Sequence, residues 1–406
     1  MFILRDLLPP LQQAFSNTQQ GQQRQVWFIY TLLAVVIPFT SSITSNLLRA
    51  LRTLFGMEIE SQRFYTFMAS TTLPWRALWK TLWGLIPDPT TSGRILMTLD
   101  DTISTKTGRK IFACGHFHDH AAKSNQTLYP WSQCIVAIGL LKQVKGRWAS
   151  LPLDFRFYLM KKDVEANKRT TKKRNKPVPF ESKMDQAAVM LKGVFDFYKL
   201  PVLVITDSWF GNNGLWSRLD QGRNGDFHLL SRLRTNITLY EHTPVMTAGE
   251  KRRRGRPRKY GDRLGSVDQC AGPYRELAQT LSVFLYGKQR DVLAYSRTVM
   301  LKTMKRKVRV VWIFRKSSYV ALVATDLSLS VEQMIEYYGA RWKIEAGFKE
   351  IKQEIGSARS QTRDAHAVLN HLNFCMMAAT LTWIYADRLQ HEPDRKYKIR
   401  GRASFA

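Results

Sequence analysis

Three carboxylates stand where a folded chain can gather acids. Asp101 closes the apolar run "RILMTLDD" at 94–101, Asp207 follows "LPVLVIT" at 200–206, and Glu345 lies within "YYGARWKIEAGFKEIK" at 337–352. Strand ends are where α/β sheets usually collect functional groups, and an Asp there also serves as a turn residue or helix cap. Asp100 and Asp101 are neighbours that alternate faces of a strand, so the run offers two first acids. Glu345 shares a helical period with Tyr338, Arg341 and Lys352. At about 100° per residue the four fall within roughly 60° of one another along about 21 Å of a single helix. A solvated face with an Arg341–Glu345 pair would look the same. Oxygen ligands of this hard type suit two Mg²⁺ ions roughly 4 Å apart, which activate a water or hydroxyl on one side of a phosphodiester and steady the leaving oxygen on the other. Basic side chains beside Glu345 would grip the flanking phosphates.

The elements that must hold these residues follow from hydrophobic period and punctuation. Residues 1 to about 90 read as helical, with "SSITSNLLRALRTLFG" offering Ser and Thr caps and "PWRALWKTLWGL" repeating aromatics at helical intervals. "WSQCIVAIGLLKQ" and "RWASLPLDFRFYL" read as strands of a meander after "RILMTLDD", then come a polar basic loop, a helix over about 182–198 and the buried strand that delivers Asp207. Between 209 and 330 the pattern is strand-rich, and from 331 onward it is helical again. This order is an α/β one.

The chain of 406 residues carries 62 Lys and Arg against 32 Asp and Glu, a formal charge of +30 spread over its length. Such a field favours a polyanion, most commonly nucleic acid, although RNA or a membrane surface would satisfy charge equally. The densest cationic stretch is "KRRRGRPRKYGDR" at 251–263. An extended Arg-Gly-Arg-Pro segment can lay guanidiniums along an A·T-rich minor groove, which makes Arg254, Arg256 and Arg258 candidate DNA contacts; a solvated basic loop is the plain alternative. The 44% apolar content with 11 Trp is that of a folded chain. Cys114, Cys134, Cys270 and Cys375 contain no CxxC pair, so a reducing compartment is the default. The most apolar early run, "VWFIYTLLAVVIPF" at 26–39, falls short of the roughly 20 residues that span a bilayer and reads as a buried helix.

The helix motif Tyr338, Arg341, Glu345, Lys352 matches Y-x2-R-x3-E-x6-K, the signature of a subgroup of bacterial insertion-sequence transposases of the DDE type. "LDDT" at Asp101 and "VITDSWFG" at Asp207 resemble that family's first and second acidic motifs, and the Asp-Thr match favours Asp101 over Asp100. Asp207 lies 106 residues beyond Asp101 and Glu345 a further 138, the longer interval fitting a β-rich insertion before the last acid. The resemblance covers nearly the whole chain, loosely over the first 90 residues and tightly from 330 to 360. It implies an α/β fold with a ribonuclease-H-like catalytic core in two parts, 94–208 and 331–385. An N-terminal helical DNA-binding region at 1–93, the β-rich insertion at 209–330 and a basic tail at 386–406 complete the expected organisation. It further implies Asp101, Asp207 and Glu345 as ligands of two Mg²⁺ ions, with Mn²⁺ able to substitute, and Tyr338, Arg341 and Lys352 at the phosphates of the element end. The implied activity is metal-dependent cutting and joining of double-stranded DNA, element terminal repeats and target, by a homodimer on paired ends. The implied setting is the bacterial cytoplasm, at the nucleoid, without a membrane.

Other readings stay open beside it. A non-catalytic architectural protein built on the basic segment would be indifferent to metal, and a nuclease without strand transfer would cut and not join. "CGHFHDH" places Cys114, His116, His118 and His120 within reach of one another along a strand, yet no second Cys/His pair completes a tetrahedral zinc set. A polar loop near the acids is the better reading, and Trp209 is expected to pack under the sheet.

Overall fold

A computed structural model gives the fold of residues 3–37, 41–220, 225–242 and 258–391. In chain order the elements begin with helices α1 (Leu8–Gln12), α2 (Gln19–Val36), α3 (Thr44–Phe55), α4 (Ser61–Met68) and α5 (Trp75–Gly84). Strands β1 (Ile95–Thr105), β2 (Cys114–His116), β3 (Trp131–Val144) and β4 (Arg147–Tyr158) follow, then α6 (Lys161–Glu165) and a small hairpin of β5 (Lys172–Lys173) and β6 (Lys176–Pro177). Next come α7 (Lys183–Tyr198), β7 (Val202–Thr206), α8 (Asn213–Leu219), β8 (Phe227–Arg232), β9 (Thr238–Tyr240), β10 (Arg263–Ser266) and α9 (Val267–Glu276). Strands β11 (Gln279–Leu285), β12 (Lys288–Leu301), β13 (Arg306–Phe314) and β14 (Tyr319–Ala324) precede α10 (Val331–Ala340), α11 (Trp342–Lys349) and α12 (Ala365–His391). The fold is mixed α/β with extensive mixed β-pairing. The described residues fall into two compact units, one drawn from Met1–Thr90, Asp100–Gly193 and Lys343–Ala406, the other from Thr91–Leu99 and Val194–Trp342.

The first unit is organised around α12, which packs against α2, α4 and α5 and against β3 and β4. By length and composition Ala365–Leu389 is apolar enough to cross a membrane, but 83% of its most apolar window is buried inside the protein, as befits a helix that is apolar all round. Trp75, Trp79 and Trp83 line one face of α5 at i, i+4, i+8. Their indole N–H groups donate to Asn370 Oδ1 (2.6 Å), Asn373 Oδ1 (2.8 Å) and the Leu153 carbonyl (3.2 Å), so the buried rings of Trp79 and Trp83 and the half-buried ring of Trp75 have their polar edges satisfied. The aromatic-rich N-terminal helices are therefore core in this unit. Phe28, Trp75 and Phe374 meet there with ring centroids 5.0 to 5.7 Å apart. Lys142 from β3 is paired with Asp387 of α12 at 2.7 Å, both buried, and its ammonium also donates to the Pro87 and Asp88 carbonyls. β3 and β4 form the expected antiparallel meander, with a register shift between Ile138 and Gly139.

Two local expectations change. The Ser and Thr caps anticipated before α3 are not used: Ile43 occupies the cap position without a side-chain hydrogen bond, and the helix is stopped at its other end by Gly56, whose φ of 61° suits a residue lacking Cβ. The run ending in two carboxylates does not end there, since β1 continues to Thr105. The four residues after Asp101 are still extended because β1 keeps its place beside β3, where the Lys106 N–H just past the strand bonds the Trp131 carbonyl at 2.9 Å.

In the second unit Ile95–Leu99 of β1 pairs in parallel with β7, and β7 in parallel with β8. β14, β13 and β12 continue the sheet in antiparallel order, with β11 and β9 paired to β12 and β10 to β9. Trp312 of β13 is fully buried; its Nε1–H donates to the Val267 carbonyl at 3.1 Å and its ring meets Tyr274 edge-on at 4.9 Å. These contacts seat α9 on the strands.

Candidate active-site residues

In the first unit Asp101 lies on β1, and its Oδ2 accepts a hydrogen bond from the ammonium of Lys183, 2.8 Å away in the first turn of α7. The Cys134 thiol approaches the same oxygen at 3.5 Å. Burial followed by the Asp101 charge pushes that thiol up to about 12. Burial pulls the Lys183 ammonium down, and Cys134 and Asp101 beside it more than restore it, for a net rise. The Lys183 ammonium also stands 5.2 Å over the Tyr158 ring. On the other face of β1, Asp100 Oδ1 accepts from the Asp101 N–H at 2.8 Å.

Lys352 reaches the same strand. Its ammonium donates to Thr102 Oγ1 at 2.8 Å and to the Ile103 carbonyl at 3.3 Å, and burial lowers it, with Asp119 opposing. The last residue of the Tyr338–Lys352 pattern therefore touches the residue directly after Asp101, 250 positions earlier in the chain. Glu345 is half-buried on α11 in this unit.

In the second unit Asp207 follows β7 directly. Its Oδ1 accepts from the backbone N–H groups of Trp209 and Phe210 at 3.0 Å each, and its carbonyl accepts from Gly211 at 2.9 Å. The turn behaviour expected of an Asp at a strand end is thus present. A Cβ at Gly211 would meet Ser231 Oγ at 2.1 Å, so only glycine lets this turn lie against β8. Tyr338 of α10 feels Asp207: burial raises its phenol, the Arg341 and Arg232 guanidiniums oppose that rise, and the Asp207 carboxylate adds to it. The Arg341 guanidinium stands 5.7 Å from the Tyr338 ring. Asp207, Arg232, Tyr338 and Arg341 thus form one electrostatic neighbourhood within this unit.

Several expectations are corrected. Tyr338, Arg341, Glu345 and Lys352 do not share one uninterrupted α-helix. α10 ends at Ala340, where the Arg341 N–H is divided between the Tyr337 and Tyr338 carbonyls at 3.2 Å, and Glu350–Glu354 is wound as a π-helix. The wider π turn shifts Lys352 away from the 100° register and toward β1. Trp209 is 43% exposed and stands edge-on to the buried Phe210 at 4.7 Å, so the smaller ring, and not the indole, fills the space under the turn. The segment read as a polar loop begins as strand β2: Cys114 is buried, with burial pushing its thiol up to about 12, His116 Nδ1 is hydrogen-bonded with the Tyr129 carbonyl at 3.0 Å, and His118 lies near His120 at 4.4 Å. Arg254 and Arg256 lie outside the described residues. Arg258 is exposed and 3.8 Å from the equally exposed Asp262, a pair worth little to stability.

Lys183 and Arg232 were not legible in the sequence as neighbours of the acids, because neither has a spacing relation to them. By donor type Asp101, Asp207 and Glu345 suit a hard divalent ion. Among the described residues no three of His, Cys, Asp and Glu lie together closely enough to hold one ion, Asp101 is taken by Lys183, and one Asp207 oxygen is spent on its turn.

With this geometry in view, the chain matches the family described as DDE superfamily endonuclease over residues 11–298. The match includes Asp101 and Asp207 and stops before the Tyr338–Lys352 pattern, so it does not test that pattern. A search of curated proteins finds no significant match. Among solved structures, the NurA nuclease from Sulfolobus solfataricus overlaps at 10% identity, over 63% of this chain and 74% of its own, with a TM-score of 0.24. An overlap that weak carries no argument about fold or activity.

Proposed function

Because this chain belongs to the DDE superfamily endonuclease family, whose DDE-type members depend in general on divalent metal, we propose that it is a DNA transposase of the insertion-sequence type. In this reading it binds the terminal repeats of its element as a homodimer, cleaves the DNA with Mg²⁺ and transfers the freed 3′ ends to target DNA. Asp101, Asp207 and Glu345 are the acids assigned to Mg²⁺, for which Mn²⁺ would substitute, and Lys183 must leave Asp101 for an ion to bind. The core is ribonuclease-H-like, and residues 1–93 contribute to holding DNA.

The contact that carries the reading is Lys352 to Thr102 at 2.8 Å, supported by the grouping of Tyr338 and Arg341 around Asp207. Each half of the Tyr338–Lys352 pattern thereby keeps company with one of the aspartates, as a phosphate grip beside acids requires. Arg341 and Lys352 hold and orient the phosphate, and Tyr338, kept protonated by burial, offers a hydrogen bond rather than a charge.

A nuclease that cuts and does not join is the second reading, favoured by a family match that ends at residue 298. The test is incubation of a DNA fragment bearing the inverted repeats that flank the gene, with and without Mg²⁺, using native protein and Glu345→Ala. Metal-dependent cutting that falls at least a hundredfold in the variant, with binding kept, is expected. Binding by both and cutting by neither would refute the enzyme. Joined products on a plasmid target separate the transposase from the nuclease.

A further inference from the structure

The second unit contains an open cavity of about 640 Å³ that Asp220 lines, but none of Asp101, Asp207 and the Tyr338–Lys352 pattern does. Its walls include Trp216 of α8, His228 of β8 and the turn from β12 into β13, which contributes Met304, Lys305, Arg306 and Lys307. All of these turn residues lie beyond residue 298, where the family match ends.

Three observations make this more than a gap between strands. The Arg306 guanidinium lies 4.3 Å over the Trp216 ring, which fixes its plane. Arg306 is half-buried, its Nε is buried with no hydrogen-bond partner among the described residues, and no carboxylate pairs with it there within 4 Å. Burial lowers this group, and Asp220 in the same cavity wall opposes that. The second orphan is His228 Nδ1, also buried and unpartnered, on a ring that burial, with Arg306 and Arg94 assisting against Asp326, keeps below its ordinary value. The third is backbone strain. Lys305 has φ of 55°, in the left-handed region that glycine or asparagine normally fills. The guanidinium fixed on Trp216 with its Nε unpaired, flanked by the exposed Lys305 and Lys307, lacks an anion with several acceptor oxygens.

We propose that this cavity seats a backbone phosphate of the bound DNA, contacted by Lys305, Arg306 and Lys307 and braced by Trp216. The proposal rests on the DNA-binding reading above and adds to it a second grip in the strand-rich unit. A phosphodiester fits better than a free base, because one face of Trp216 is already covered by Arg306.

The test is a salt titration of binding to a duplex of the flanking repeat, read by fluorescence anisotropy, with Lys305→Gly, Arg306→Gln and, as comparator, the exposed Lys288→Ala. Each lost phosphate contact lowers the slope of log K against log salt by about 0.9. Lys305→Gly and Arg306→Gln should each lower it by about that amount, and Lys288→Ala should leave it unchanged. Lys305→Gly should also raise the melting temperature, since glycine relieves the strained φ, so loss of binding and gain of stability would move in opposite directions. An unchanged slope in both cavity variants while native protein still binds and cuts DNA overturns the cavity alone. So does an equal fall in Lys288→Ala, or a free mononucleotide that stabilises the protein while the duplex slope stays fixed. No DNA binding by the native chain overturns the cavity and the transposase together.

Discussion

At the scale of single residues the chemistry turns on Asp101 and its partner. Asp101, the carboxylate assigned to a divalent ion in the proposed function, is paired with the Lys183 ammonium 2.8 Å away, both groups largely withdrawn from water. An unpaired acid in that position would be costly to bury, and Lys183 supplies its countercharge. Binding of an ion at Asp101 then competes with Lys183. In Lys183→Met the competitor is gone, and Mn²⁺ affinity measured by electron paramagnetic resonance should rise by roughly tenfold, the equivalent of about 1.4 kcal/mol. Unchanged or weaker Mn²⁺ binding would mean that Asp101 is a structural acid. The aspartates stand out in the sequence because apolar runs ending in Asp are visible as such. Sequence reading could not find Lys183, since its separation of 82 positions from Asp101 carries no periodic relation that sequence alone can register.

At the scale of elements, α12 shows how a helix can be read correctly and still conceal its main constraint. The sequence reads as helical from 331 onward, and nothing in it singled out His371. The structure buries this imidazole completely, with Nε2 hydrogen-bonded to the Ser42 carbonyl at 2.6 Å, and burial pushes it down to about 4. Below the ordinary histidine value of 6.5 the unfolded chain takes up a proton that the folded chain refuses until about pH 4. Stability is therefore lost as pH falls from about 6.5 to about 4, by up to about 3 kcal/mol. Urea unfolding at pH 6.5 and 4.5 should show the loss, and His371→Gln should flatten that part of the profile; an unaltered profile in the variant would place the pH sensitivity elsewhere. The helical stripe from Tyr338 to Lys352 went the other way. A single ideal helix was assumed, and the break at Arg341 and the π turn at Glu350–Glu354 depend on hydrogen bonds that a 100° wheel does not contain.

At the scale of the whole molecule, long-range polar pairs hold together segments that lie far apart in the chain. Lys142 and Asp387, 245 positions apart, meet at 2.7 Å with almost no exposure, and the same ammonium ties down the carbonyls of Pro87 and Asp88. Removing one member leaves a buried charge without its partner. Asp387→Ala should cost about 3–5 kcal/mol in urea denaturation, whereas Lys142→Met with Asp387→Leu should recover most of it. A loss below about 1 kcal/mol in the single variant would show that the two carbonyls suffice. The α/β order and most strands were legible because their apolar runs have the right length and are punctuated by turns. The division into two units was not, because each draws on segments from widely separated parts of the chain.

All four cysteines are buried and free, and Cys114, Cys134 and Cys375 have thiols that burial pushes up to about 12. At neutral pH such a thiol is ionised in only about one molecule in 10⁵. Toward alkylating agents and mild oxidants the folded protein is therefore nearly as inert as one without cysteine. A single cysteine introduced on its surface would be the one reactive handle it offers, and any slow modification of the native four would count the moments when the core opens.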